Sequence, residues 1–169
     1  MKKILIIALI FLFSCNQEPE LITIDNLYQI EIPFGMISMP GLMGNEDASL
    51  QYANIFSEKY LMIINESKSD WINLVEESNY FEEYISSLSE DFIESFDYNK
   101  HTLSDIYLND STAGKLFETN GNIDGISVIW NVVFIEGEDN LYQICFWTLK
   151  GGVSKINELL SVAKTFKEI

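Results

Sequence analysis

Apolar and polar residues follow two different periods along this chain, which predicts both strands and helices. Short runs that alternate, or that are apolar throughout, are typical of strands when turn residues bound them. The run 60–64 is apolar at every position and indicates a central strand covered on both faces. Strands are predicted at residues 21–24, 28–32, 49–54, 59–65, 103–108, 114–119, 127–135 and 141–149.

Two longer segments have the 3.6-residue period of amphipathic helices. The first covers residues 79–96 and follows a short helical turn predicted at 69–75, and the second begins at Val153. Their apolar positions are Phe81, Tyr84, Ile85, Leu88, Phe92, Ile93 and Phe96, then Val153, Ile156, Leu159, Leu160, Ala163 and Phe166. The order of strands, helix, strands and helix predicts an α+β fold, in which amphipathic helices pack on a central antiparallel sheet.

Turn residues separate the later strands. Residues 136–140 are polar, contain one glycine and predict a hairpin between the last two strands. The dipeptides Asn120-Gly121 and Asp124-Gly125 both tolerate positive φ, so a turn is predicted over residues 120–125.

The beginning of the chain has the pattern of a secretory signal. Lys2 and Lys3 precede ten consecutive apolar residues, 4–13. As a helix this run is about 15 Å long, too short to cross a hydrocarbon core of about 30 Å. A positive segment followed by a short apolar one is typical of a signal peptide.

Leu12, Ser14 and Cys15 resemble the lipobox of bacterial lipoproteins. The resemblance implies cleavage before Cys15, acylation of this cysteine (palmitate among the acyl chains), and a lipid-anchored protein of the bacterial cell envelope, at the periplasmic or surface face of the outer membrane. The alternative is a simple secretory signal that contains a cysteine. The predicted organisation is a signal peptide over 1–14, an acylated cysteine and tether over 15–20, and one domain over 21–169.

The strongly negative charge limits the classes of partner. The sequence has 26 Asp and Glu, 10 Lys and no Arg, and its formal net charge is −16 at pH 7. A nucleic-acid-binding surface needs basic side chains to neutralise phosphates, and protein charges need to be basic to bind anionic headgroups. We expect no nucleic acid among the partners. The expected partners are a membrane, reached through the N-terminal lipid, and an envelope protein or ligand of unknown identity.

The second cysteine of the chain, Cys145, lies in an apolar run typical of a buried strand. A free cysteine in such a run commonly acts as a small apolar residue. The alternative is a nucleophile activated by His101, the single histidine of the sequence, which lies in a polar segment predicted to be an exposed loop.

Acidic residues are dense between Asp70 and Asp97, with no lysine among them. Carboxylates suit calcium or manganese, but the loop spacing that completes a calcium shell is absent, so we interpret this run as a solvated helix face. Phosphate-binding glycine loops, Ser-His-Asp order and Cys/His clusters are also absent from the sequence. We expect no catalytic residues, no metal site and no cofactor.

Residues 34–44 contain Met36, Met39 and Met43 together with three glycines. Methionine is frequent on adaptable binding surfaces, which makes these three residues the candidate partner-contact loop. The alternative is that the loop folds back and its methionines fill gaps in the core.

The order of elements, the step Ile32-Pro33-Phe34 and the ending Lys164-Thr165-Phe166 are similar to the PsbP-like fold, which includes the DcrB-type bacterial lipoproteins. The resemblance covers residues 21–169 and implies a central antiparallel sheet between helices. A cystatin-like curved sheet is the alternative fold, but its long helix precedes the strands.

The same resemblance implies a function without catalysis. PsbP-like proteins are mostly accessory or binding modules, so the expected function is a membrane-anchored envelope lipoprotein that binds a partner and is not an enzyme. The alternatives are a carboxylate-dependent hydrolase, which needs a buried and close pair of acids in a concave pocket, and a carrier of a small apolar ligand, which needs a closed apolar cavity.

Overall fold

A computed structural model describes residues 18–41, 45–75, 78–94, 100–149 and 152–169. The predicted tether is partly outside these ranges, as is the end of the first predicted long helix. The elements are β1 (Glu20–Ile24), β2 (Tyr28–Ile32), β3 (Ile37–Ser38), β4 (Ala48–Asn54), β5 (Lys59–Ser67), α1 (Lys68–Leu74), α2 (Tyr80–Glu94), β6 (Lys100–Tyr107), β7 (Ala113–Ile123), β8 (Ile126–Glu136), β9 (Asn140–Leu149), α3 (Val153–Ala163) and β10 (Lys167–Glu168).

Seven strands form one large antiparallel sheet, in the order β3-β4-β5-β9-β8-β7-β6. Strand β9 lies in the middle, where it pairs with β5 on one side and β8 on the other. Residues 141–148 of β9 are all buried. Because successive side chains of a strand point to opposite faces, both faces of the sheet must be covered.

Different elements cover the two faces. One face packs against α3 and a small separate sheet, in a core that includes Tyr28, Ile63, Phe146 and Phe166. The other face packs against α1 and α2, in a core that includes Tyr84. The predicted α+β class, with amphipathic helices on an antiparallel sheet, is confirmed.

The N-terminal hairpin does not belong to the central sheet. Strands β1 and β2 pair with the two-residue strand β10 in a three-stranded sheet of their own, order β1-β2-β10. The end of the chain is held there, since the Ile169 amide donates to the Leu27 carbonyl at 3.0 Å. Strands as short as β3 and β10, with two residues each, have too few residues to show an apolar period, so neither was predicted from the sequence.

The predicted turn at 120–125 is too long. Asn120 and Gly121 lie inside β7, paired with Ile129 and Val128 of β8. The turn consists of Asp124 and Gly125, with φ of 51° and 78°. Two consecutive positive φ values match the twist of a tight hairpin, so only the second of the two candidate dipeptides makes the turn.

His101 lies on strand β6 rather than in a loop, and its ring stacks on Phe117 with a centroid distance of 6.0 Å. Helix α3 ends at Ala163, three residues before Phe166, whose side chain is nevertheless fully buried. Among the described residues, no helix is long and apolar enough to cross a membrane.

We predict that Gly114→Ala lowers the free energy of unfolding by about 1–3 kcal/mol. A Cβ atom at this position would lie 2.5 Å from the Phe134 carbonyl oxygen, so the paired strands would have to separate. Chemical denaturation of both proteins measures the difference. Ala113→Ser, at an exposed neighbouring position, is the control and should change the free energy by less than about 0.5 kcal/mol. Equal effects of both changes would contradict the close approach.

Candidate functional site

A large cleft of about 1180 Å³ lies between the second face of the central sheet and the helices α1 and α2. Its floor comes from strands β5, β8 and β9, and its walls from α1, α2 and the segment before β4. The volume is slightly above the range of about 300–1,000 Å³ that is typical of ligand pockets. The cleft is therefore the main candidate site among the described residues.

Three aromatic residues on neighbouring strands form the floor. Tyr60 of β5 and Trp130 of β8 both pair directly with Trp147 of β9. Their rings are nearly parallel, with centroids 5.3 Å apart for Tyr60 and Trp147 and 4.1 Å apart for the two tryptophans. Directly opposed residues of antiparallel strands are close enough for such stacking. Because the rings stack face to face along the sheet, they present their edges to the cleft.

The aromatic row ends against helix α2. Phe92 lies beside Trp130 with a centroid distance of 5.6 Å, and Leu88, one turn earlier, also lines the cleft. Deeper in the same face, Tyr84 contacts Trp71 of α1 and Phe134 of β8 edge to face, at 4.9 and 6.0 Å. These contacts hold both helices on the sheet and leave the space above the aromatic floor open.

One carboxylate connects the starts of the two helices to the sheet. Glu136, the last residue of β8, accepts a hydrogen bond from Lys68 at 2.7 Å and another from Tyr80. Lys68 is the first residue of α1 and Tyr80 the first of α2. Burial opposes the charged form of Glu136, but these two hydrogen bonds outweigh it and lower the pKa of the carboxyl. The walls of the cleft therefore depend on an ionised Glu136.

The cleft is acidic. Four carboxylates line it (Asp47, Glu66, Asp70 and Asp91), and none of its described lining residues is a lysine, arginine or histidine. Glu66 accepts a hydrogen bond from the Gln143 amide at 3.1 Å. Burial raises the pKa of the nearby Tyr84 hydroxyl, and the negative charge of Glu66 raises it further, so this phenol stays neutral. An open cleft with apolar floor and carboxylate rim can hold a ligand that is both positively charged and partly apolar.

The structure corrects one residue of the candidate partner-contact loop. Met36 is only 8% exposed and belongs to the core beneath the first sheet face, where it fills space between strands. Its backbone is held by a bond from its amide to the Pro33 carbonyl. Met39 is half-buried, and Met43 lies outside the described residues. For Met36 the core-filling alternative is therefore the correct one.

Cys145 and His101 do not form a pair. Cys145 is fully buried in the second core, and burial raises the pKa of its thiol to about 12. His101 lies on β6, and strands β7 and β8 separate it from β9. Three strand spacings amount to about 14 Å, so the imidazole does not reach the thiol. Cys145 acts as a small apolar residue.

The acidic run 70–97 is divided by the fold. Asp70 and Asp91 line the cleft, whereas Glu82, Glu83, Glu90 and Glu94 are exposed on α2. Within the described ranges, no group of three His, Cys, Asp or Glu side chains could hold a metal ion. Cys15, the predicted lipidation site, lies outside the described residues.

The aromatic floor was not predicted from the sequence. Tyr60, Trp130 and Trp147 come from two different hairpins and meet only through the β5–β9 and β8–β9 registers. Their positions within apolar strands offered no distinctive signal, because the same runs also contain Phe134, Tyr142 and Phe146.

Comparison with known proteins identifies the fold. Cyanobacterial PsbP (CyanoP) from Synechocystis sp. PCC 6803 superposes with a TM-score of 0.60 at 12% identity, over 90% of this chain and 93% of that structure. The chain has a PsbP-like fold. This confirms the predicted fold, whereas the DcrB-type lipoprotein assignment stays a prediction.

Two further structures share this PsbP-like fold. The Saccharomyces cerevisiae Ran-binding protein Mog1p matches with a TM-score of 0.58 at 10% identity, over 88% of this chain and 94% of that one. A protein from Bacteroides thetaiotaomicron VPI-5482 matches with a TM-score of 0.59 at 12% identity, and this chain, 90% covered, spans about half (49%) of its length. No family model matches the chain, and no curated protein shows significant sequence similarity to it.

We predict that Glu136→Gln speeds hydrogen exchange of the amides in α1 and α2, because the variant loses the ion pair to Lys68 that holds the start of α1. In the wild-type protein, the same loss of protection against hydrogen exchange should appear when the pH is lowered and Glu136 becomes protonated. Since the pKa of Glu136 is lowered by folding, its stabilisation is complete above the ordinary value of 4.5 and disappears as the pH falls through the lowered value. Glu138→Gln, in the same turn, is the control. Unchanged exchange in Glu136→Gln would show that the helices do not depend on this carboxylate.

Proposed function

We propose that this protein is a non-catalytic binding module, anchored by a lipid on Cys15 to a membrane of the bacterial envelope, whose cleft binds a basic, partly apolar segment of a partner protein. The single observation that carries the proposal is the cleft itself, with an aromatic floor and four carboxylates but no basic side chain among its described lining residues. Coulombic attraction favours a cationic ligand there, and the ring edges and aliphatic side chains favour apolar contact.

The fold neighbours support a binding role. Mog1p, which has the same fold, is described as a Ran-binding protein. A PsbP-like domain is therefore compatible with recognition of another protein, although fold by itself does not assign the partner.

The placement of the acids supports binding over hydrolysis. Asp47, Asp70 and Asp91 are exposed and only Glu66 is half-buried, whereas a general acid needs a carboxyl whose pKa is raised by burial or by a close second acid. The open, carboxylate-lined cleft also differs from the closed apolar cavity that a carrier of small apolar ligands requires. Both features support a surface that reversibly binds a segment of a partner protein.

The cleft is tested with a dansyl-labelled hexalysine peptide and the full chain in non-ionic detergent, measured by fluorescence anisotropy. Replacing two rim acids, Asp47→Asn with Asp70→Asn, should weaken binding about threefold to tenfold, because each exposed ion pair contributes up to about 1 kcal/mol. A matched control, Asp110→Asn with Asp124→Asn, removes the same charge at exposed positions outside the cleft. The control should change affinity less than about twofold.

Equal weakening by the two double variants would contradict the proposal, because it would mean that the peptide responds to net charge and not to the cleft. Crosslinking from the cleft in the native envelope, followed by identification of the captured protein, then tests whether the partner presents a lysine- or arginine-containing segment.

The anchor is tested separately. Cys15→Ser should leave the precursor uncut or release the protein from the membrane fraction, because stable attachment needs more than one acyl chain and a lipoprotein cysteine supplies them. Fractionation and the mass of the N-terminal peptide measure both results. Cys145→Ala, the matched change at the other cysteine, should stay membrane-bound. If Cys15→Ser is processed and sediments as the wild type does, the lipid anchor is wrong.

A further inference from the structure

We propose that the end of the domain next to the tether inserts apolar side chains into the bilayer that holds the lipid. This end, here named the apolar tip, consists of Phe34, Ile37, Ile55 and Phe56. The inference rests on the lipid anchor of the proposed function, and it adds a second, protein-mediated contact with the membrane that fixes the orientation of the domain.

The four side chains of the apolar tip are exposed to an unusual degree. Phe56 is fully exposed, Phe34 is 72% exposed, and Ile37 and Ile55 are more than half exposed. Single exposed apolar residues are normal on protein surfaces, whereas several at one place indicate an interaction site.

The fold brings these residues together from two loops. Ile37 of β3 pairs with Ala53 of β4, next to the turn that carries Ile55 and Phe56. A Cβ atom at Gly35 would lie 3.2 Å from the Asn54 amide nitrogen, so the loop before β3 lies directly against the end of β4. Met36, buried in the core between them, fixes the loop while its neighbours project outward.

The tether leaves the domain at this same end. Glu20 at the start of β1 pairs with Ile32 at the end of β2. Pro19 then lines one hollow together with Pro33 and Lys59, which border the two loops of the apolar tip. Cys15 precedes Pro19 by four residues, which span at most about 14 Å when fully extended. A lipid on Cys15 therefore places the bilayer surface within reach of the tip.

Two ion pairs lie beside the tip, and Glu20 and Glu31 add negative charge where the tether leaves the domain. Lys59 pairs with Glu158 and Lys155 with Glu58, both beside the β4–β5 turn. Apolar side chains at the headgroup boundary gain free energy from leaving water, and a zwitterionic lipid surface does not repel the carboxylates near the tip as an anionic leaflet would. The occupant that fits the tip is thus the lipid surface itself.

Insertion of the tip would place Asp47 and Asp70 of the cleft away from the membrane, while the aromatic floor at Tyr60 would lie nearer to it. Strand β5 runs from the tip to the other end of the sheet over nine residues, a distance of about 26 Å. Asp70 follows the far end of β5, and Asp47 precedes β4 at that same end. The acidic rim of the cleft would then face a partner from the aqueous side.

The test places an environment-sensitive NBD fluorophore on the lipidated full chain in phosphatidylcholine and phosphatidylethanolamine vesicles. One variant carries it at Phe56→Cys and the control at Tyr107→Cys. Tyr107 is 76% exposed at the opposite end of the strands. The native Cys145 is buried and does not react.

Quenching by doxyl-labelled lipids should be at least about threefold stronger at position 56 than at 107. Adding Phe34→Ser and Ile55→Ser, both at exposed positions, should reduce the quenching at 56.

Equal quenching at the two positions would overturn the proposal, because it would mean that the domain rotates freely on its tether. A blue-shifted signal at 56 without lipid quenching would also overturn it, in favour of a second copy or another protein on the tip. If the protein does not float with the vesicles in a density gradient, the lipid anchor is contradicted, and the proposed insertion of the tip, which rests on that anchor, is contradicted with it. Peptide binding in the cleft, measured in detergent, is independent of all three outcomes.

Discussion

Burial of strand β9 on both faces is the constraint on which the rest of the structure depends. From Leu141 to Thr148 every side chain is buried, and the pleat sends successive residues to opposite sides. The flanking strands satisfy the backbone of β9, but only additional layers can remove its side chains from water. The fold therefore needs a cover on each face. Helix α3 and the small sheet β1-β2-β10 supply one, and helices α1 and α2 supply the other.

The candidate site follows from how the second cover is built. Helix α1 has 7 residues and buries none of them fully, and α2 has 15. They close over Phe134 and Cys145, where Tyr84 packs, and leave the row of Tyr60, Trp147 and Trp130 bordering open space. Because Glu136 binds the first residue of each helix, a single carboxylate positions both walls. The cleft is thus the part of a doubly covered sheet that the second layer does not fill.

The apolar tip lies at one end of the central strands, and part of the acidic rim of the cleft lies at the other. Asp47, Glu66 and Asp70 lie near the end of β5, while the apolar tip and the tether lie where β5 begins; the cleft extends between these ends to Tyr60, the second residue of β5. Such a separation lets one domain hold a membrane surface and a basic partner without competition between them. The carboxylates of Asp47 and Asp70, at the end remote from the tip, attract cationic ligands from the aqueous side.

The sequence by itself determined the longer elements and the class of fold, because periods of 2 and 3.6 residues are local properties. The hairpins around residues 25–27, 55–58 and 137–139, the amphipathic helices and the PsbP-like order of elements could all be predicted from them. Only the tertiary structure decided the separate small sheet, the burial of Met36 and the aromatic floor of the cleft. Strand β10 is too short to show an apolar period. Which side chains of the loop around Met36 are buried depends on the elements that pack against the loop. Trp130 and Trp147 face each other within the β8–β9 hairpin, but Tyr60 joins them only through the register of β5 with β9, and pairing between separate hairpins leaves no local pattern in the chain.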